Sequence, residues 1–205
     1  MMKKKRTEII NAKRDHILEV AGHLFVCDGY DAVTMDGLAE AVPVSKATLY
    51  NHFKDKKDLF QAVISGRCRN LTNALEKDLD VGQDPVKVLT NIAKQFLKLI
   101  LAPDAINMHR IMIAEANDFP DLGKMFYQTG PLRSHALLAE YLSKLKATEG
   151  WRIKDPELSA GMFFSMLKGR MHVERLLGLK KTTSPKEQER LIAYAVDLFV
   201  RAHRA

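Results

Sequence analysis

Long apolar runs, cysteines and strand signals are all scarce in this chain of 205 residues. Nothing approaches the roughly 18 consecutive apolar residues of a membrane-spanning helix, so a transmembrane reading is excluded. The basic start, Met1-Met2-Lys3-Lys4-Lys5-Arg6, is not followed by the apolar segment that a secretion signal needs. Only two cysteines occur, Cys27 and Cys68, on separate segments. That argues against a disulfide framework or a cysteine metal site and fits a cytoplasmic setting. Enzyme signatures are missing too: there is no GxSxG, P-loop, GxGxxG or HExxH. The seven histidines are scattered and form no evident ligand pair with Cys or a carboxylate. His172 and Glu174, two apart on a helix, point to different faces. No catalytic residue, metal or cofactor is expected.

What is present is helical. The length suits one large domain or two small ones with a real core. Ile10, Ile17, Leu18, Ala21, Leu24 and Phe25 share one face of a first helix, expected over 7–28, with Gly29 placed to end it. Thr34 can cap a short helix ending near Ala41, and Ser45 a third over 46–52. A fourth, long helix begins at Asp55. Asp84-Pro85 and Asp155-Pro156 open further helices with Pro at the tolerated first position. Ser184-Pro185-Lys186-Glu187 is a capping-box pattern opening the last. Pro103 and Asn117-Asp118-Phe119-Pro120 separate two more, and Gly130-Pro131 interrupts the second of these. The pattern predicts an all-α fold of nine helices, with the domain boundary inside the fourth, taken as 1–60 and 61–205.

Charge adds less than it promises. The net charge is +7, yet residues 1–80 hold 13 Lys+Arg against 12 Asp+Glu, and residues 81–205 hold 19 against 13. A nucleic-acid reading must therefore rest on local clusters: Lys3–Arg6, Lys13-Arg14, and Lys46 with Lys54, Lys56 and Lys57. These lysines could equally be a solvated helix edge. The Lys3–Arg6 arm could reach a minor groove or be a tail.

The stretch from Thr34 to Phe53 reads as two short helices joined by a tight turn, the shape that lays a helix in the major groove of DNA. Leu49 and Phe53 can face inward. Lys46, Ala47, Thr48, Tyr50 and Asn51 can then face outward to base edges, with Tyr50 and His52 donating to phosphates. Tyr50 could instead be a packing residue. Thr34 and Ser45, at helix N-termini, suit phosphates, and Lys56 could grip the backbone.

At these residues the chain resembles the TetR/AcrR family of bacterial transcription regulators. The pattern is Ile17-Leu18-x-x-Ala21-x-x-Leu24-Phe25-x-x-x-Gly29-Tyr30, then Thr34-Met35-x-x-Leu38-Ala39. It continues Val44-Ser45-Lys46-Ala47-Thr48-Leu49-Tyr50-x-His52-Phe53-x-x-Lys56-x-x-Leu59-Phe60. The second half is similar to the AefR-like C-terminal domain through His109-Arg110-x-x-Ile113-Ala114-Glu115-Ala116, Phe119-Pro120-x-Leu122, Phe126-Tyr127-x-x-Gly130-Pro131 and Asp155-Pro156-Glu157-Leu158. The resemblance implies an N-terminal helix-turn-helix domain for DNA and a C-terminal domain for ligand binding and dimerisation. It implies a sequence-specific regulator, most often a repressor of efflux or envelope genes. A homodimer would hold a palindromic operator until a small apolar or amphipathic effector releases it. A transcriptional activator of the same fold, or a DNA-binding protein without preference or effector, stays open.

Six methionines fall after residue 100. Flexible methionines suit pockets for varied apolar ligands. Phe96, Met108, Met112, Met125, Phe126, Phe163 and Met166, with His109, Arg110 and Arg170, are the candidates for an effector pocket, or they simply fill a core. Phe163, Met166, Val173, Leu191, Leu198 and Phe199 are the candidates for a dimer interface. One departure from the family stands in the turn, where Pro43 replaces the usual Gly or other flexible residue. Proline is fixed near −65° in φ, and it pushes Val42 out of helix. On that reading Pro43→Gly changes operator affinity more than thermal stability.

Overall fold

The computed structural model describes residues 2–148 and 150–204, with the backbone alone for residues 2–10 and Leu71. The elements are α1 Met2–Asp28, α2 Met35–Ala41, α3 Lys46–His52, α4 Lys56–Asp78, α5 Pro85–Ile100, α6 Pro103–Glu115, α7 Pro120–Tyr127, α8 Arg133–Lys146, α9 Pro156–Leu176 and α10 Pro185–His203. A π-turn at Gln128–Leu132 joins α7 to α8 without a break, so the described residues form nine helices, of which α9 is kinked at Gly169. Pro131 sits inside that turn and supplies no N–H, which accounts for the local loss of α geometry. The only pairing outside helices among the described residues is an isolated bridge between Trp151 and Arg204.

The expected caps are made. Asp84 accepts from the Val86 N–H at 3.2 Å and Asp155 from Leu158 at 3.0 Å. Ser184 and Glu187 form the reciprocal capping box that opens α10. Asp55 caps α4 through the Asp58 N–H at 2.8 Å. Gly29, at φ 86°, ends α1 as expected. One boundary differs: α1 begins at Met2, upstream of the expected start, and the basic arm Lys3–Arg6 lies where no side chain is described.

The chain folds as two compact units. The first takes the chain through Arg67 together with Ile111–Met125; the second takes Cys68–Arg110 and Phe126 onward. In the first, Ile17, Ala21, Phe25, Leu38, Leu49, Phe53, Leu59 and Phe60 are buried. Phe25, Tyr30 and Phe60 pack as a ring cluster, with Phe25 and Tyr30 each 4.8 Å from Phe60. In the second, α5, α8, α9 and α10 share a core built on Leu89, Ile92, Leu97, Leu142, Phe163, Leu167, Val196 and Phe199. No described helix is long and apolar enough to cross a membrane.

Candidate nucleic-acid interface

The second short helix of the motif is held by its buried side. Leu49 is fully buried and Phe53 is 2 % exposed, with the Arg14 guanidinium over the Phe53 ring at 5.1 Å. Lys46, Ala47, Tyr50 and Asn51 are exposed together on the other side, while Thr48 and His52 are half-buried. Tyr50 faces solvent with half its surface, which sets it apart from the packing residues Leu49 and Phe53. The hydroxyls of Ser45 and Thr34 close their helices, accepting from the Thr48 and Gly37 N–H groups at 3.1 Å each. Ser45 and Thr48 also share a hydroxyl contact at 2.8 Å.

The basic cluster is largely occupied within the protein. Lys46 pairs with Asp36 at 2.6 Å, with both side chains well exposed, and the Asp36 carboxylate holds the Lys46 ammonium above its ordinary pKa. Lys57 lies 3.5 Å from Asp121. Lys56 donates to the carbonyls of Tyr30 at 2.9 Å and Asp31 at 3.3 Å and sits over the Tyr30 ring. It therefore fastens the loop after α1, a role invisible in sequence because a backbone carbonyl has no letter. If Lys46 contacts DNA, Asp36 would compete with a phosphate or a base for it. Asp36→Asn is expected to tighten operator binding several-fold and steepen its salt dependence; an unchanged salt titration would count against Lys46 as a DNA contact.

The turn leaves Val42 outside α2, as expected, as the cap residue after Ala41. Val42 stays near the helix, at φ −92° and ψ 5°, with its N–H bonded to Leu38. The break falls on Pro43, at φ 27°. Val44 then donates to the Ala39 carbonyl at 3.0 Å, the long bond of a Schellman turn. Its companion bond needs an N–H at position 43, which proline lacks. Val42 is 2 % exposed, so its burial holds it in place and Pro43 carries the strain. A non-glycine residue held at positive φ costs about 1–3 kcal/mol, and for proline, whose ring favours a φ of about −65°, that range is a floor. Pro43→Gly is thus expected to raise the melting temperature as well as alter operator affinity. A variant that melts lower would show that the turn is not strained.

The sensor candidates divide between the units. Met112 and Met125 belong to the first, where Met125 Sδ accepts from Ser65 Oγ at 3.3 Å. The others belong to the second. His109 meets Phe126 edge-to-face at 5.2 Å, and Phe96 meets Phe164 at 4.6 Å. Met108 is buried. Arg110 is committed to structure, donating to the Leu176 and Arg175 carbonyls at 2.9 and 2.8 Å at the end of α9. Arg170 is exposed and paired with Glu174.

The dimer candidates divide as well. Val173 and Leu198 are exposed, and Met166 and Leu191 are half-buried. Phe163 and Phe199 correct the expectation: they are 0 % and 2 % exposed, packed edge-to-face at 5.0 Å in the core of their own unit, and leave no surface for a partner. The exposed apolar residues of α9 and its end are Leu158, Met162, Val173, Leu177 and Leu179, and those of α10 are Tyr194 and Leu198. Spacing of four between Leu158 and Met162, and between Val173 and Leu177, was the available signal. Among the described residues no cluster of three His, Cys, Asp or Glu side chains could hold a metal.

An exposed polar helix, anchored by two buried residues and preceded by a capped partner across a tight turn, defines a helix-turn-helix regulator of transcription. Residues 17–63 match the family described as bacterial regulatory proteins, tetR family, and residues 87–205, more than half of the chain, match the AefR-like transcriptional repressor C-terminal domain. The chain belongs to the TetR family. It is similar to the transcriptional regulator YhgD of Bacillus subtilis, 29 % identical over 90 % of this chain and 92 % of that one. Its fold is similar to that of a TetR-family regulator from Mesorhizobium loti, with a TM-score of 0.89, 26 % identity, and 96 % and 98 % of the two chains covered. It is also similar to the flavonoid-responsive regulator FrrA, with a TM-score of 0.77, 30 % identity, and 95 % and 98 % covered. The protein is a DNA-binding transcriptional regulator and not an enzyme.

Proposed function

We propose that this protein is a ligand-responsive repressor of the cytoplasm whose homodimer holds a palindromic operator and lets go when a small amphipathic effector binds its second unit. The observation that carries the reading is the face formed by Lys46, Ala47, Tyr50 and Asn51, exposed while Leu49 and Phe53 are buried. Two such faces, related by a two-fold axis, read half-sites about one helical turn apart or a multiple of it. The unpartnered apolar side of α9 and α10 supports the dimer. The repressor-type C-terminal domain supports the sign of regulation, and the likeness to a flavonoid-responsive regulator supports a small aromatic effector. Efflux genes are the proposed target.

Footprinting on the DNA upstream of its own gene, with scrambled competitor at fixed salt, tests this. Two symmetric protected half-sites that survive the competitor, with lowered transcription from that template, are expected. Equal loss to both DNAs would mean binding without sequence preference. Raised transcription would make the protein an activator.

A further inference from the structure

We infer that His109 and His172, buried side by side in the second unit, form a recognition point for the hydroxyl of a planar phenol. The inference rests on the ligand-responsive reading above and names the class of ligand. His109 comes from α6 and His172 from α9, and their rings meet edge-to-face at 5.0 Å. His172 is 2 % exposed, and its Nε2 is buried without a hydrogen-bond partner. His109 Nδ1 is unpartnered as well, beyond an approach of that ring to the Ala105 backbone. Buried polar atoms in folded proteins are almost always paired, so an orphaned His172 nitrogen, beside a His109 ring whose own polar contact is the Ala105 backbone, marks a place where something else completes the bonding.

The chemistry of the surroundings selects what that is. Burial, with Lys168 nearby, holds both imidazoles well below the usual histidine range, to about 4, so both are neutral near pH 7. A neutral imidazole offers one N–H and one lone pair, and a hydroxyl can answer either. A carboxylate answers only the N–H and brings a charge into a buried place. One flat ring lies against the pair, Phe126, edge-to-face with His109; in the same unit a further aromatic group has Phe164 stacked on His135 at 5.4 Å and 12° and meeting Phe96. Aromatic faces of this kind pack well on a planar ring system. Lys168, one turn before His172 on α9, acts on all three imidazoles. Its ammonium favours a ligand oxygen that is weakly acidic, which distinguishes a phenol from an aliphatic alcohol.

The test uses the full-length protein, calorimetric titration and three probes: the flavone apigenin, its tri-O-methyl ether, and myristate. Apigenin is expected to bind at least tenfold tighter than the ether, and myristate more weakly than apigenin. His172→Phe keeps the ring but loses the nitrogens and should bind apigenin and the ether within twofold of each other. His172→Gln restores a hydrogen-bonding group and should restore part of the preference, which also covers the case in which the Phe variant folds poorly. Equal binding of apigenin and ether by the unaltered protein overturns the inference. So does binding of none of the three, an unchanged preference in His172→Phe, or myristate binding that fails in Lys168→Met but not in His172→Phe. Operator release is measured separately. Preferential apigenin binding that leaves operator affinity unchanged keeps the hydroxyl site and removes the ligand-responsive reading. Release by another compound without apigenin binding does the reverse.

Discussion

Leu198→Arg is expected to give a folded monomer that binds its operator at least a hundredfold more weakly. Leu198 is 47 % exposed and Tyr194, one turn earlier on α10, is 68 % exposed. An arginine there therefore costs the single chain little. In the proposed two-fold assembly the same residue would meet the partner's surface, and the charge would be placed twice in an apolar contact that cannot pair it. Losing the dimer turns a two-handed hold on DNA into two separate weak ones, and linkage of that kind is worth roughly 10²–10⁴ in affinity. Light scattering on the eluting protein, followed by an operator titration, checks both halves. A variant that stays dimeric with full affinity would move the interface elsewhere.

Phe163→Ala and Met162→Ala should behave oppositely although the residues are neighbours. Phe163 is fully buried and packs on Phe199 and Phe164. Its truncation leaves a cavity that rigid aromatic neighbours cannot fill, at a cost of about 3–5 kcal/mol. Met162 is 56 % exposed, and its truncation should change the stability of the single chain by no more than about 0.5 kcal/mol. In urea titrations under conditions that keep the protein monomeric, the first variant should unfold at markedly lower denaturant and the second with the parent. Weakened dimerisation in Met162→Ala alone would complete the contrast. Similar midpoints for the two would contradict the orientation of α9.

Helix starts were legible because their signals are local. Asp84-Pro85, Asp155-Pro156 and Ser184 with Glu187 each place a capping oxygen and a donor-free residue within one turn, and each cap is formed. The anchoring of the DNA-facing helix by Leu49 and Phe53 was legible for a similar reason, since four residues separate two buried positions on one short helix. The orientation of α9 was not. That helix is apolar on both sides, one for its own core and one left open, so periodicity alone does not say which is which. Gly169, at φ 27° and ψ −147°, also breaks the helix and shifts the phase of the turns beyond it. The partners of Arg110 and Lys56 were not legible either: both bind main-chain carbonyls, which composition does not reveal. The meeting of His109 with His172 depends on the tertiary packing of two distant helices, and no local spacing announces it.

The two thiols differ in a way that makes the chain its own measuring instrument. Cys68 is buried, and burial pushes its thiol up, away from the reactive thiolate. Cys27 is exposed near the end of α1, in the DNA-facing unit. A thiol-directed spin label or dye should therefore attach at one place per chain without any engineering, and a pair of such labels in a dimer would be separated by a distance tied to the two DNA-reading faces. Whether an effector spreads those faces, or only loosens them, would then be read directly as a shift or a broadening of that single distance.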